Sequence, residues 1–302
     1  MKYELIIVRY GEIGLKAKET RKRFEHALVN NIKTALNKEH ISSRIKKEWG
    51  RIYVYTNQIN ESLTILQKIF GITSISPAVQ TKGDMYFMSK LAVTFSKEVL
   101  NKEKSFALRV TRTGAHEFTS QDVSIKIGSD IVRETKAFVN LAKPDFKLFI
   151  EIRDKNAYIF TEKIRGMGGL PLGTQGKIIA LVDSPKSILA SWYLMRRGCK
   201  IIFINTKKSN TEALSSFTSD WYANSDISII NSEKDIYENL NKIASERKCD
   251  AIVTGHSLGD SQHKLSDIKL FKKHVAFPIL CPLIAMNQDK ISKKCKEIGV
   301  KI

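Results

Sequence analysis

The sequence of 302 residues predicts an α+β front half and a back half of α/β class with a doubly wound parallel sheet. Two observations carry this prediction. Strands and helices follow one another in mixed order up to a glycine-rich tract at residues 165–177, and beyond it short apolar runs alternate with helical stretches. A hydrophobic fraction of 42% indicates a folded chain with a sizeable core.

Five elements in the order β-α-β-α-β are predicted first. The run KYELIIVRY has the β-branched and aromatic content of a strand, and Gly11 and Gly14 mark the turn after it. A helix is predicted over residues 19–37, because apolar side chains recur there on one face. The remaining three are the strand RIYVYT, the helix ESLTILQKIFG and the strand ITSISPA. This order predicts a small domain with an antiparallel or mixed sheet.

A further α+β domain is predicted next along the chain. Its elements are the helix MSKLAVTFSKEVLN, the strand SFALRVTRT, the helix SQDVSIKIGSDIVRETKA and the hairpin KLFIEIRDKNAYIFTEKI. The hairpin is predicted to turn at Asp154 to Asn156. The polar faces of these elements are rich in Lys and Arg, which makes the unit a candidate surface for an anionic partner.

Strands and helices alternate through the back half. In order they are KIIALV, ILASWYLMRRG, CKIIFIN, DISII, KDIYENLNKIASERK, DAIVTG, FPILCPL and NQDKISKKCKEIG. Ligands of such sheets bind at the carboxyl ends of the strands, so the candidate ligand loops are VDSPKS, INTKKSN and TGHSLGD. The tract RGMGGLPLGTQGK before them is predicted to be a domain linker, because its glycines and proline favour turns.

Charge is the strongest signal in the composition. Fifty Lys and Arg against 31 Asp and Glu give a net charge of +19, which favours a polyanionic partner. Nucleic acid is the leading interpretation; a membrane surface and a surplus that serves only solubility stay open. No segment reaches the ~20 apolar residues of a membrane span, and the opening lacks a signal peptide, so a cytoplasmic protein is expected.

The cysteines and histidines predict no metal site. Cys199, Cys249, Cys281 and Cys295 stand far apart without a CxxC pair, which favours buried free thiols over a zinc or iron–sulfur cluster. His256 and His263 could be imagined as ligands together with Cys281, but nothing in their spacing favours that arrangement.

Several motifs give the chain a family resemblance. RYGEIGLK, GRIYVYT, FGITSISPA, GMGGLPLGTQGK, TGHSLGD and FPILCPLIAMNQDKISKKCKEIG occur in the order seen in the tRNA 4-thiouridine synthetase family, also called tRNA sulfurtransferases, and the likeness covers nearly the whole chain. The resemblance implies three domains: a ferredoxin-like domain over 1–75, a THUMP RNA-binding domain over 76–167, and a PP-loop ATP pyrophosphatase domain over 168–302. The last has a Rossmann-like fold of the adenine nucleotide alpha hydrolase type.

The resemblance also implies a chemistry. Members of the family adenylate a carbonyl oxygen of a tRNA uridine with ATP, and sulfur then displaces AMP. The implied partners are tRNA, ATP with Mg²⁺, a second copy of the chain in a homodimer, and a separate sulfur-donor or sulfurtransferase protein. The separate sulfur donor is implied because no relay-cysteine segment is expected here. The apolar flanks of Cys199 and Cys281 favour a core role over persulfide transfer.

The phosphate loop departs from the family pattern. The family's SGGxDS aligns with residues 182–187, where only the final serine survives: Asp183 and Ser184 replace glycines, Pro185 removes an N–H donor, and Lys186 replaces an acid. One interpretation is a dismantled loop with weak or lost adenylation. The alternative is a rebuilt loop, in which Lys186 neutralises a pyrophosphate and the serines donate hydrogen bonds.

Other departures concern two further segments. TGHSLGD stands for the family's TGESLGQ, with His256 and Asp260 as substitutions and Gly255, Ser257 and Gly259 retained. The region between Asn205 and Asp226 is short and lacks the family's proline-rich nucleotide-contacting pattern.

Two sets of candidate site residues follow. The predicted nucleotide contacts are Leu181, Val182, Ser184, Lys186, Ser187, Asn205, Thr206, Gly255 and Ser257. The predicted RNA phosphate contacts are Arg9, Lys16, Arg51, Arg109, Arg112, Lys126, Lys163 and Arg165. The leading hypothesis is a tRNA-binding protein involved in tRNA thiolation; an active sulfurtransferase with an external sulfur donor and a non-enzymatic small-molecule binder are the alternatives.

Overall fold

The computed structural model describes residues 2–206, 211–223, 227–229, 235–258 and 265–300. The chain forms two compact units. The first contains Met1–Arg9, Leu36–Gln67 and Ser74–Arg165, and the second contains Tyr10–Ala35, Lys68–Thr73 and Gly166–Ile302. The division by contacts cuts across the ranges 1–75, 76–167 and 168–302, which remain predictions about domains.

A mixed nine-stranded sheet forms the centre of the first unit. Its strands are β1 (Leu5–Tyr10), β2 (Arg44–Glu48), β3 (Arg51–Tyr55), β4 (Ile72–Lys82), β5 (Ser105–Thr113), β6 (Phe138–Val139), β7 (Phe146–Arg153), β8 (Asn156–Phe160) and β9 (Ile164–Arg165). They lie in the order β2-β3-β1-β4-β8-β7-β5-β6, and β9 pairs with β4. The hairpin predicted to turn at Asp154 is confirmed, with φ of 50° at that residue. The short strand β2 was not predicted, because its charged sequence RIKKE has little strand character.

The α-helices of this part of the chain lie near their predicted positions. They are α1 (Lys18–Lys38), α2 (Ile59–Gln67), α3 (Met85–Lys97) and α4 (Ser120–Thr135). A 3-10 helix (Glu12–Leu15) lies where a turn was predicted. A capping box of Thr119 and Asp122 begins α4. Apolar side chains of α3 and α4 pack on Leu148, Ile150 and Ile152 of β7. Because side chains alternate along a strand, the odd-numbered residues of β7 lie on the other face of the sheet.

The second unit contains a parallel five-stranded sheet. Its strands are β10 (Lys177–Val182), β11 (Lys200–Asn205), β12 (Ile227–Ile229), β13 (Ala251–Val253) and β14 (Ile279–Leu280), and its helices are α5 (Pro185–Arg196), α6 (Thr211–Asp220), α7 (Ile236–Glu246), α8 (Leu265–His274) and α9 (Gln288–Glu297). The strand order β12-β11-β10-β13-β14 confirms the predicted doubly wound sheet. The order reverses between β10 and β13, which places the ligand crevice at their carboxyl ends.

The glycine-rich tract is a packed segment and not a free linker. Gly168 N donates to Ile72 O at 2.7 Å, and Leu170 N donates to Arg196 O at 3.0 Å. A Cβ at Gly169 would clash with the carbonyl oxygen of Arg196, and φ at Gly169 is +75°. The glycines therefore allow close backbone approach within the second unit, which the sequence pattern alone could not separate from flexibility.

No helix in the described part of the chain is long and apolar enough to cross a membrane. The same residues contain no group of three or more His, Cys, Asp or Glu side chains placed to hold a metal ion.

Candidate functional site

The loop 182–187 lies at the carboxyl end of β10, beside the point where the strand order reverses. Ser184 is the N-cap residue of α5 and Pro185 is its first residue. The Ser184 side chain caps no backbone N–H. Strand, loop and helix N-terminus therefore have the arrangement in which a nucleotide phosphate binds in many α/β proteins.

The Asp183 carboxylate holds the hydroxyl groups of this loop. Its Oδ1 accepts a hydrogen bond from Ser187 Oγ at 2.6 Å and another from Ser184 Oγ at 3.0 Å. The backbone N–H of Ser187 donates to Ser184 O at 3.1 Å. A negative charge is favourable at this end of α5, because the helix dipole is positive there. The loop thus supplies its own anion at the position where a phosphate would be expected.

The other predicted nucleotide contacts surround the same edge of the sheet. Leu181 and Val182 are buried at the end of β10, and Thr206 donates to Val182 O from both N and Oγ1, at 3.2 and 3.3 Å. The buried Asn205 donates from Nδ2 to Thr211 Oγ1 at 3.2 Å. Lys186 lies in the first turn of α5.

The segment after β13 forms the opposite wall of the crevice. Gly255 approaches α5 so closely that a Cβ would lie 2.7 Å from Ser187 N. Ser257 is fully buried, and its Oγ has no hydrogen-bond partner among the described residues. The predicted loop residues Lys207–Asn210, Gly259, Asp260 and His263 lie outside the described part of the chain.

His256, which replaces the family's glutamate, is a core residue. It is 5% exposed, its Nδ1 lies 2.8 Å from Thr254 Oγ1, and its ring edge meets Phe271. Thr254 Oγ1 also lies 3.5 Å from Cys281 Sγ. The sequence did not predict this core position of His256.

The loop residues do not fit the triphosphate of ATP. Several converging N–H groups make a phosphate cradle, whereas Pro185 has no N–H and that of Ser187 is bonded to Ser184 O. The hydroxyls of Ser184 and Ser187 are bonded to Asp183. A triphosphate would have to displace a like charge before it reached them.

A cationic cavity of about 600 Å³ opens on the first unit. Arg109, Lys147 and Lys163 line it together with the ring of Phe149, and none of the described residues that line it is acidic. The ammonium of Lys163 lies 4.7 Å from the centroid of the Phe149 ring. Burial lowers the pKa of Lys163, and the charge of Arg9 lowers that pKa further. We call these four residues the cationic cavity.

A buried carboxylate lies on the same face of β7 as Lys147 and Phe149. Glu151 accepts from Arg51 Nε at 2.6 Å, from Arg9 Nη2 at 3.1 Å and from Arg153 Nη1 at 3.4 Å. Burial would raise the pKa of Glu151, but the charges of Arg51 and Arg9 outweigh it and hold that pKa below its usual value. The guanidinium of Arg9 also lies 4.9 Å from the Phe160 ring, which stacks on Phe149.

Comparisons with known proteins agree with this architecture. Family models described as the ThiI ferredoxin-like domain, the THUMP domain and the thiamine biosynthesis protein (ThiI) match residues 5–76, 84–162 and 214–301. A probable tRNA sulfurtransferase of Methanobrevibacter smithii is 33% identical, with 99% of this chain and 87% of that protein covered. One of Methanocaldococcus jannaschii is 35% identical, with 97% and 87% covered. The chain belongs to the tRNA sulfurtransferase family.

A solved structure extends the likeness to three dimensions. A 4-thiouridine synthetase in complex with RNA and bound ATP superposes with a TM-score of 0.85 at 25% identity, covering 99% of this chain and 86% of that one. The expected ferredoxin-like and THUMP domains followed by a parallel-sheet domain are thereby confirmed. In this chain, the variant loop lies in residues 163–213, between the second and third matched ranges.

The predicted RNA contacts of this chain have different surroundings. Arg109 and Lys163 meet in the cationic cavity. Arg9 is 9% exposed and pairs with Glu151, and the half-buried Arg51 pairs with the same carboxylate. The roles of both as phosphate contacts stay predictions. Sequence analysis missed Lys147 and Phe149, although they alternate with the apolar positions of FKLFIEIR.

The remaining predicted contacts lie elsewhere. Arg112 stands three positions after Arg109 on β5, so it faces the other side of the sheet, where its Nη1 donates to Gly114 O. Lys126 pairs with Asp130 on α4. The exposed Arg165 ends β9, and Lys16 follows the 3-10 helix in the second unit. Their roles in RNA binding stay predictions.

Proposed function

We propose that this protein binds tRNA and takes part in tRNA thiolation, with ATP-dependent adenylation that is weak or lost. The observation that carries the RNA part is the cationic cavity, in which Arg109, Lys147 and Lys163 surround Phe149 and none of the described lining residues is acidic. The observation that supports weak or lost adenylation is that the Asp183 carboxylate accepts hydrogen bonds from the hydroxyls of Ser184 and Ser187.

The chemistry of the cavity suits single-stranded or unstacked RNA. Lys and Arg contact phosphates without regard to sequence, and an aromatic ring offers a surface on which a base stacks. The related solved protein forms a complex with RNA, and the curated relative is named a probable tRNA sulfurtransferase. These likenesses support tRNA as the RNA that this chain binds.

Two features support weak or lost adenylation. The loop residues lack the converging N–H groups that a pyrophosphate requires. The alignment with the Methanobrevibacter relative spans 337 positions, more than the 302 residues of this chain, so the relative carries extra residues within the aligned span. The sequence between Asn205 and Asp226 is short relative to the family pattern, which is consistent with relaxed demands on ATP binding.

An active tRNA sulfurtransferase with a variant loop is the second candidate. Lys186 in the first turn of α5 and the retained crevice between β10 and β13 favour it. In this version Lys186 neutralises the pyrophosphate as a point charge, and sulfur comes from a separate donor protein or from sulfide.

Titration of the purified protein with tRNA and with ATP tests the proposal. We expect tRNA binding that weakens steeply between about 50 and about 200 mM salt, and no ATP binding at millimolar concentration with or without tRNA. Absence of tRNA binding at low salt would contradict the RNA part. Micromolar ATP binding that Lys186→Ala abolishes would favour the active enzyme instead.

The proposal also includes a homodimer, a separate sulfur-donor protein and a cytoplasmic location. Sedimentation of the free chain tests the first of these. A folded monomer at micromolar concentration that binds tRNA normally would remove the dimer from the proposal.

A further inference from the structure

The phosphate loop contains one acidic residue, and that residue holds the groups that a phosphate would need. We propose that the Asp183 carboxylate occupies the position at the N-terminus of α5 where the phosphate of a ligand would otherwise bind. This single carboxylate excludes polyphosphate ligands from the loop. The inference rests on the proposed loss of ATP use and assigns it a cause. It makes Asp183 a specificity-determining residue of the nucleotide crevice.

The hydrogen bonds define the occupied position. Ser187 is 1% exposed, and its hydroxyl donates to Asp183 Oδ1 at 2.6 Å; the Ser184 hydroxyl donates to the same oxygen at 3.0 Å. A hydroxyl donates one hydrogen bond, so neither can serve a phosphate oxygen while it serves Asp183. A carboxylate oxygen accepts the same kind of hydrogen bond from a hydroxyl as a phosphate oxygen does. The Asp183 carboxylate can therefore take the place of a phosphate beside these two serines.

The negative charge of Asp183 prevents a phosphate from binding beside it. The helix dipole of α5 favours one anion at its N-terminus, and Asp183 satisfies it. A phosphate placed within hydrogen-bond distance of Ser187 would lie close to the carboxylate, and two like charges at that distance repel strongly in a half-buried crevice. Removal of the charge therefore favours an external anion, whereas retention of Asp183 disfavours every polyphosphate alike.

Two backbone N–H groups at the loop are also occupied, and one side of the loop is closely packed. The N–H of Ser187 donates to Ser184 O, and the N–H of Thr206 donates to Val182 O. On the side of β13, Gly255 leaves no room even for a Cβ beside Ser187 N. An anion that bound the hydroxyls of Ser184 and Ser187 would therefore have to take the place of the Asp183 carboxylate.

Two variants and one control separate the effect of the Asp183 charge from that of its hydrogen-bonding oxygen. Asp183→Ala removes the carboxylate, and Asp183→Asn removes the charge but keeps an oxygen that accepts from the serines. Asp289→Ala is the matched control, because Asp289 is an exposed acid in the first turn of α9 in the same unit and its loss changes the net charge equally. Each is titrated calorimetrically with inorganic pyrophosphate and with ATP, with and without Mg²⁺.

We expect no binding of either ligand by the wild type or by Asp289→Ala. Pyrophosphate affinity should rise at least about tenfold in Asp183→Ala, with a smaller gain in Asp183→Asn. Circular dichroism and tRNA affinity report whether each variant is folded. If Asp183→Ala fails to fold, the gain in Asp183→Asn relative to Asp289→Ala decides the question.

Two results would overturn the inference. Folded variants that bind pyrophosphate no better than the wild type would show that Asp183 is not the excluding group, while the proposed tRNA binding would stand. Wild-type binding of ATP with Mg²⁺ that Asp183→Ala abolishes would make Asp183 a ligand of the metal and would also contradict the proposed loss of adenylation. Failure of tRNA binding alone counts against the proposed function and not against the role of Asp183.

Discussion

Lys163 lies over the ring of Phe149, with its Nζ 4.7 Å from the ring centroid, and both side chains line the cationic cavity. The pair joins two contacts that nucleic acids need, a cation for a phosphate and a flat ring for a base. Because Phe149 also stacks on Phe160, the ring is held in place from the protein side.

Loss of Lys163 should weaken tRNA binding in a salt-dependent way. In Lys163→Ala we expect lower affinity at low salt and a salt-dependence slope about one unit smaller, because one phosphate contact is removed. Fluorescence anisotropy at several salt concentrations measures both quantities. Lys102→Ala, an exposed change elsewhere in the same unit, is the control and should leave the slope unchanged. Equal effects of both variants would argue against a specific contact.

Loss of the Phe149 ring should weaken tRNA binding without changing its salt dependence. Phe149→Leu keeps an apolar side chain on Phe160 but removes the stacking surface, so we expect a loss of about 1 kcal/mol or more in tRNA binding with an unchanged salt slope. The same anisotropy series measures it. A reduced slope in this variant would mean that Phe149 acts through Lys163 and not through a base.

Glu151→Gln should destabilise the first unit by about 3 kcal/mol at neutral pH, because it leaves the charges of Arg9, Arg51 and Arg153 without their shared carboxylate. The folded pKa of Glu151 lies below its unfolded value, so its contribution is present above about pH 4.3 and is lost as pH falls through the folded pKa. Urea unfolding at several pH values measures this. The wild type should lose stability in that acid range by more than Glu151→Gln does; parallel curves would contradict the assignment.

Gly169→Ala should destabilise the second unit severely. The new Cβ would meet the carbonyl oxygen of Arg196, in addition to the strain of a positive φ. Gly299→Ala is the matched control, since its φ of +79° is similar and no described atom lies within 4 Å of its Cβ. We expect about 1 kcal/mol for Gly299→Ala and at least about 3 kcal/mol for Gly169→Ala in urea unfolding. Equal losses would mean that φ strain alone explains both.

Cys295 should be unreactive in the folded protein. Burial raises the pKa of its thiol to about 11, which leaves about one thiolate in a thousand at about pH 8. Burial also raises the pKa of Cys199, which had been considered as a persulfide carrier. Mass spectrometry after brief iodoacetamide treatment should find both sites largely unmodified, and alkylated after denaturation. Rapid native labelling of Cys199 would reopen the question of a sulfur-carrying role.

Sequence patterns were sufficient for most of the secondary structure. The strands KIIALV and CKIIFIN are continuous apolar runs because both of their faces are buried, and this predicted the parallel sheet. Helices α6 and α8 were missed: neither stands out by periodicity, and no residue of α8 is buried. The motif RYGEIGLK and the glycine tract gave the family, which composition alone could not.

The sequence by itself determined the class of each half, the family and the loss of glycines from the phosphate loop, because these depend on residue identity and order along the chain. Only the tertiary structure decided what the changed residues do. Asp183 reaches the hydroxyls of Ser184 and Ser187, and Lys147, Phe149 and Lys163 meet in one cavity, because strand register and the turn into α5 fix which side chains share a face. Tertiary pairing also assigned Arg9 to Glu151, since a buried guanidinium requires a carboxylate and the sheet brings one from β7.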